Sequence, residues 1–151
     1  MGFFKGARRV RQGDPLSPYL FVLAMNVLSK MLDAAAKYGV FAFHPKCKKI
    51  GITHLCFADD LLIFSKGHLN SIIGIQNVLN MFYAFSGLQL NCTKSELYAA
   101  GIKGDELQEI HQVTGFKIGT LPVRYLGVPL VTKRLSERDC GPLIEKITAR
   151  I

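Results

Sequence analysis

The sequence predicts an α+β fold in which an antiparallel sheet is covered by helices on one face. Helical spacing of apolar residues alternates with short β-rich runs, and the predicted order is helix, hairpin, helix, strand, helix, hairpin, helix. The 151 residues suit one domain, and a hydrophobic content of 49% can supply a core. No internal repeat or low-complexity linker interrupts the chain.

The clearest helix follows Gly13. Asp14 is a favoured N-cap, and Pro15 fits the first helical position. Gly39 is expected to end the helix. Between them, apolar residues recur at helical spacing: Leu16, Tyr19, Leu20, Leu23, Ala24, Val27, Leu28, Met31 and Leu32.

A hairpin is predicted for "ITHLCFADDLLIFSKG", residues 52–67. Two β-rich arms, 52–57 and 61–65, flank Ala58, Asp59 and Asp60. The turn lacks the usual Asn-Gly or Asp-Gly pair. Because both arms are apolar, we expect the hairpin to be central and buried.

The remaining elements follow from the same patterns. Apolar spacing predicts a helix over 69–85, and a short strand is expected around 96–99. A short helix over 104–115 and two brief strands within 116–135 come next. An amphipathic helix begins near 136 and has no stop signal before the last residue.

The chain is basic, with a formal net charge of +8 and a pI near 9.5. Ten of its 19 Lys and Arg residues, but only four of its 11 acids, lie in the first 66 residues. An excess of this kind favours an anionic partner, most often nucleic acid, although a solvated basic surface is the alternative. Four scattered cysteines without a CxxC pair indicate an intracellular location, nuclear or cytoplasmic. The apolar run 19–25 is too short to cross a bilayer, so no membrane partner is expected.

Asp59 and Asp60 are the candidate catalytic residues. Two adjacent carboxylates in an apolar hairpin repel each other, and desolvation raises the cost. Mg²⁺ (or Mn²⁺) removes both problems, because it prefers hard oxygen ligands and can complete its shell with water and substrate phosphates. A solvated hairpin tip, in which Asp is a common turn residue, is the alternative.

Four motifs in order resemble those of reverse transcriptases, most closely those of plant non-long-terminal-repeat (LINE-type) retrotransposons. "RQGDPLSPYLF" (11–21) resembles the motif that contacts template and nucleotide, and "FADDLLIF" (57–64) resembles the catalytic acid-pair motif. "GLQLNCTKSE" (87–96) resembles the loop near the triphosphate, and "YLGVPL" (125–130) resembles the hairpin that grips the primer. Together they cover residues 1 to about 132.

The resemblance implies a fold and a role for each matched residue. It implies the palm subdomain of a right-hand polymerase at 1–132 and the start of a thumb or connection helix at 133–151. Asp59 and Asp60 would bind the metal, and Lys94 would lie near the incoming dNTP. Leu126 and Gly127 would lie in the primer grip. Contacts with the nucleotide or the RNA template would come from Gln12, Gly13, Arg8 and Arg11, with Arg9 as a neighbouring basic residue.

The family pattern is incomplete in these residues. The motif that carries a third carboxylate, and the fingers, are expected in a missing segment N-terminal to residue 1, and Asp14 and Asp33 are poor substitutes. We therefore expect a fragment of an RNA-directed DNA polymerase that is inactive alone, acting with a DNA primer in the full protein. The alternatives are a degenerate remnant that only binds nucleic acid, and a decayed product that never folds stably.

Overall fold

The structure is a computed structural model that describes residues 13–132 and 135–149. The helices in these residues are α1 (Ser17–Lys37), α2 (Leu69–Ser86), α3 (Gly104–Thr114) and α4 (Glu137–Thr148). The strands are β1 (His54–Phe57), β2 (Asp60–Ile63), β3 (Glu96–Tyr98), β4 (Lys117–Gly119), β5 (Val123–Tyr125) and β6 (Val128–Leu130). The predicted mixture of helices and hairpins is confirmed.

The strand pairing differs from the predicted single antiparallel sheet. The described strands form three separate two-stranded sheets. The pairs β1–β2 and β5–β6 are antiparallel hairpins, whereas β3 and β4 are parallel. The reason is that α3 connects β3 to β4, and a helical crossover returns the chain so that the second strand runs in the same direction. The sequence predicts this strand–helix–strand order, which favours parallel pairing. The prediction that all strands pair antiparallel was therefore wrong for β3 and β4.

The start of α1 also differs from the prediction. The helix begins at Ser17, after Pro15 rather than at it. The Asp14 carboxylate accepts a hydrogen bond from the backbone N–H of Leu16 at 2.8 Å, and the Asp14 carbonyl accepts one from Ser17 at 3.0 Å. Asp14 therefore stabilises a turn that precedes the helix. At the other end, Gly39 has a φ of +76° and follows the last turn, as predicted.

The core lies between α1 and α2. Leu61 and Ile63 of β2 pack against it, which places one face of the β1–β2 hairpin on the helices. Full burial of each large apolar side chain contributes roughly 1.5–3 kcal/mol. The buried members are Leu28, Leu32, Ala35 and Ala36 of α1, Phe41, and Ile75, Val78 and Phe82 of α2.

The first half of α1 is not covered by the described residues. Tyr19, Leu23 and Val27, expected on the buried stripe, are 71%, 61% and 53% exposed. With 21 residues, α1 as a whole meets the length and composition of a membrane-crossing helix, although the apolar run 19–25 covers only part of it. Helices of a buried core meet the same criterion, and the second half of α1 lies in the core. The absence of a membrane partner stays a prediction.

Gly74 controls how closely α2 approaches the chain after α1. A Cβ added at Gly74 would lie 2.2 Å from the carbonyl oxygen of Val40, which is backbone and cannot move aside cheaply. We expect Gly74→Ala to destabilise the fold by about 1–3 kcal/mol, the usual cost of overpacking. Gly141→Ala in α4 is the control, because nothing lies within 4 Å of its added Cβ. It should stabilise the chain by about 0.5–1 kcal/mol through helix propensity.

Thermal melting followed by circular dichroism measures both changes. The melting temperature should fall for Gly74→Ala and rise for Gly141→Ala. An unchanged melting temperature for Gly74→Ala would contradict the close approach. A cooperative transition in the parent chain would also exclude the hypothesis that the chain never folds stably.

Candidate catalytic and nucleic-acid site

Asp59 and Asp60 lie at the tip of the β1–β2 hairpin. Phe57 pairs with Asp60, so Ala58 and Asp59 form a two-residue turn. Ala58 has a φ of +51°, in the left-handed region that disfavours a residue with a Cβ. The turn therefore forms without an Asn-Gly pair, and it places the two acids at the tip of the β1–β2 hairpin.

Both carboxylates are exposed, as is Phe57 at 60%. The prediction of a central, buried hairpin was therefore wrong for its tip, as the described residues show. Side chains alternate between the two faces of a strand. Because Leu61 faces the core, Asp60 and its partner Phe57 point the other way. Water reaches both acids, and hydration relieves the repulsion that burial would have made costly.

The β5–β6 hairpin approaches the acid pair. The Tyr125 hydroxyl donates a hydrogen bond to the backbone carbonyl oxygen of Asp60 at 3.4 Å. The next two residues, Leu126 and Gly127, form the turn of that hairpin with φ values of +52° and +85°. Burial, together with nearby Cys56 and Asp60, raises the pKa of Tyr125, so its hydroxyl stays a donor. The structure thus joins the acid-pair hairpin and the predicted primer grip.

Lys94, the residue predicted to lie near the triphosphate, is not joined to the acids by any hydrogen bond or ion pair among the described residues. Lys94 lies in a turn before β3, where its backbone N–H and that of Thr93 donate to the Asn91 side-chain oxygen at 3.3 and 3.1 Å. Its side chain is exposed, and within the described part of the chain no ion pair joins it to Asp59 or Asp60.

The turn ahead of α1 is only partly described. Gly13 has a φ of +86°, and nothing lies within 4 Å of a Cβ added there. A side chain would therefore fit in space, and glycine is favoured at this position because of its backbone conformation. The expected contact of Gly13 with the nucleotide or template stays a prediction. Gln12, Arg8, Arg9 and Arg11 lie outside the described residues.

The donor set suits a hydrated divalent cation. Asp59 and Asp60 offer carboxylate oxygens, and Mg²⁺ commonly binds one or two carboxylates while keeping several waters. Over residues 13–132 and 135–149, no group of three His, Cys, Asp or Glu side chains could hold a metal ion. The pair therefore fits an ion whose shell is completed by water and phosphate rather than one enclosed by protein.

Sequence reasoning missed two groups near this hairpin. The first is Tyr125, which stands directly before the Leu126-Gly127 turn and could have been noticed as an aromatic residue with a polar end. The second is a chain of hydrogen bonds at the base of the hairpin, formed by Ser29, Asp33, Thr53 and His54. Its sequence signal was a polar Thr-His pair opening an otherwise apolar strand.

Comparison with known proteins decides the family. Residues 2–130 match the model of the family described as reverse transcriptase (RNA-dependent DNA polymerase). The chain belongs to the reverse transcriptase family. Its relatives show that it is a domain of the LINE-type, non-long-terminal-repeat kind.

Two of these relatives are retrotransposon polyproteins. The chain is 31% identical to the Pol polyprotein of the type-2 retrotransposable element R2DM of Drosophila melanogaster, over 96% of the chain and 14% of that protein. It is 33% identical to the Pol polyprotein of a type-1 retrotransposable element R2 of Popillia japonica, over 64% of the chain and 13% of that protein. This reverse transcriptase domain thus spans about one-seventh of the R2DM polyprotein.

A third relative comes from a plant. An uncharacterized mitochondrial protein of Arabidopsis thaliana is 43% identical over 39% of the chain and 49% of that protein. The match is limited to 60 aligned residues. The expected plant origin of the domain stays a prediction.

Proposed function

We propose that this domain supplies the metal-binding acids and the primer-holding hairpin of an RNA-directed DNA polymerase. The reaction would join a deoxynucleoside triphosphate to the 3′-hydroxyl of a DNA primer paired with an RNA template. The observation that carries the proposal is the acid pair at an exposed tip, hydrogen-bonded through Tyr125 to the second hairpin. An open tip suits a substrate as wide as a nucleic-acid duplex, whereas small ligands are usually bound in enclosed pockets.

Each residue has a proposed role. Asp59 and Asp60 would hold Mg²⁺ or Mn²⁺, which when bound stabilises negative charge on the transferring phosphoryl group. Leu126 and Gly127 would hold the primer, and Lys94 would approach the triphosphate. The template-side contacts would come from Gln12, Gly13, Arg8 and Arg11. In this proposal residues 1–132 form the palm and 133–151 begin the thumb.

Metal binding tests the role of the acid pair directly. We expect the wild-type chain to bind Mn²⁺, detected by electron paramagnetic resonance, and the double variant Asp59→Asn, Asp60→Asn to lose most of that binding. The reason is that amides are weaker ligands than carboxylates for a hard cation.

The matched control neutralises another adjacent acid pair. Asp105→Asn with Glu106→Gln in the first turn of α3 changes the net charge equally. It should leave Mn²⁺ binding unchanged. Equal binding by the wild-type chain and the Asp59, Asp60 double variant would end the proposed function.

Primer extension tests whether the 151-residue chain is sufficient for polymerisation. We expect little or no template-dependent extension with Mg²⁺ or Mn²⁺, because the described residues contain no cluster of three acids. The assay uses an end-labelled DNA primer on an RNA template and purified protein. Extension by the wild-type chain that Asp59→Ala abolishes would show that two acids suffice.

A second candidate function is nucleic-acid binding without catalysis, and a specific surface favours it. We call residues 44–51 the lysine loop. Several backbone hydrogen bonds hold it, including Cys47 and Lys48 N–H to the His44 carbonyl at 2.9 and 3.0 Å and Ile52 N–H to the Cys47 carbonyl at 3.3 Å.

The loop presents positive charge that is not neutralised by contact. Lys46, Lys48 and Lys49 are exposed. No acid of residues 13–132 or 135–149 forms an ion pair with any of them. Because a fixed loop loses little freedom on binding, three exposed ammonium groups there suit the phosphates of a nucleic-acid backbone.

The salt dependence of binding measures this surface. Each phosphate contact contributes about 0.7 (single strands) to 0.9 (duplex) to the slope of log affinity against log salt. The triple variant Lys46→Gln, Lys48→Gln, Lys49→Gln should flatten the slope by about two units and weaken binding in low salt. The control variant Lys37→Gln, Lys103→Gln, Lys117→Gln removes the same charge from exposed sites elsewhere. Equal flattening by both variants would show that only net charge matters.

A further inference from the structure

The hydrogen-bond chain Ser29–His54–Thr53–Asp33, which we call the relay, joins α1 to the base of the acid-pair hairpin. Ser29 and Asp33 are four residues apart and so lie on one face of α1. Thr53 immediately precedes β1, and His54 is its first residue. The Thr53 carbonyl accepts the backbone N–H of Phe64 at 2.8 Å, so the relay is attached where the two arms of the hairpin close.

The contacts of the relay are short. The Thr53 hydroxyl oxygen lies 2.7 Å from an Asp33 carboxylate oxygen and 2.7 Å from Nδ1 of His54. Nε2 of His54 lies 2.8 Å from the Ser29 hydroxyl oxygen. Thr53 is only 2% exposed, and the His54 side chain is 12% exposed. Both ring nitrogens and the intervening hydroxyl therefore have partners in the protein.

These contacts allow one arrangement of protons around neutral His54. An ionised carboxylate only accepts, so the single hydroxyl proton of Thr53 must point to Asp33. The Thr53 oxygen can then only accept from His54, which places the ring proton on Nδ1. Nε2 is left as an acceptor, and the Ser29 hydroxyl donates to it.

Protonation of His54 is disfavoured in this setting. Burial lowers the pKa of His54, and the Asp33 carboxylate 3.9 Å away raises it by a smaller amount. Asp33 on α1 is the charged group facing the ring, and Ile63, opposite His54 in β2, carries no charge. Because the folded chain takes up this proton less readily than the unfolded one, stability is complete above the ordinary histidine value of about 6.5 and falls as the pH drops below it.

We propose that His54 and Thr53 are positioning residues, which hold the acid-pair hairpin on α1 through the neutral Nδ1–H form of His54 and loosen it when the ring is protonated. The link to catalysis rests on the proposed function of Asp59 and Asp60. The positioning itself concerns only the hairpin. Since a one-residue slip would turn every side chain of a strand to its other face, an anchor at His54 decides which face of β1 meets the core.

Nuclear magnetic resonance tests the proton arrangement. Long-range ¹H–¹⁵N correlation spectra of the labelled chain at pH 7.5 distinguish the two neutral tautomers, and His54→Gln assigns the signal among the four histidines. The expected result is a proton on Nδ1 and a titration midpoint below about 6.5. A proton on Nε2, or a midpoint at or above the ordinary value, would overturn the relay.

Hydrogen exchange tests the positioning without any metal. After correction for intrinsic rates, exchange of the β1–β2 amides should accelerate as the pH falls from 7.5 to 5.5, while α2 amides serve as the reference. Thr53→Val should accelerate hairpin exchange at pH 7.5 by about two- to tenfold, the range expected for one lost hydrogen bond, and should reduce its pH dependence. Thr53→Ser keeps the hydroxyl and should restore the wild-type pattern. Hairpin exchange that is insensitive to pH and to Thr53→Val would refute the positioning role.

Mn²⁺ binding separates this inference from the proposed function. If hairpin exchange responds as expected and Mn²⁺ affinity falls in Thr53→Val but not in Thr53→Ser, both stand. If exchange responds but the wild-type chain binds no Mn²⁺, the proposed function fails and the anchored hairpin stands. If hairpin exchange is unaltered and Mn²⁺ binding is normal, the positioning role fails and the proposed function stands.

Discussion

The one-sided packing of the β1–β2 hairpin is the constraint on which the rest of the site depends. Leu61 and Ile63 are held against the α1–α2 core, so the alternation of a strand turns Asp60 and Phe57 outward. Two like charges side by side would be costly in a low-dielectric interior, whereas an exposed tip leaves both carboxylates open to water and to a cation. The same packing that stabilises the fold therefore also exposes the acids.

The hairpin is held at both ends by polar contacts. At the tip, Tyr125 reaches the Asp60 carbonyl from the second hairpin, and at the base His54 and Thr53 reach α1. The apolar face between these contacts supplies most of the free energy, whereas the polar contacts are directional and orient the hairpin, above all the short ones at its base. Fixed orientation of the hairpin agrees with a site in which the carboxylate oxygens of Asp59 and Asp60 must be held in place, as expected for the reverse transcriptase family to which the chain belongs.

Sequence patterns predicted the local elements well, for reasons visible in single residues. The spacing of Ile72, Ile75 and Phe82 predicted α2, and Gly39 marked the end of α1. Pairing was harder, because β3 and β4 are three residues each and their direction depends on the crossover through α3. The motifs indicated Asp59, Asp60, Leu126 and Gly127. Tyr125 opens the fourth motif but received no role from it, and no motif contains His54. The partners of Tyr125 and His54 lie 65 and 25 residues away along the chain.

What the sequence alone determined is local or recurrent: helical periodicity, turn residues, the adjacent acids, and the four motifs that predicted the family. What only the tertiary structure decided is which faces meet. Periodicity marks a stripe on α1 as apolar, yet it does not say that Leu28 is buried while Tyr19 is exposed. It likewise does not say that Thr53 finds Asp33, because burial and hydrogen bonding between distant residues depend on how the elements pack, and packing depends on the whole chain at once.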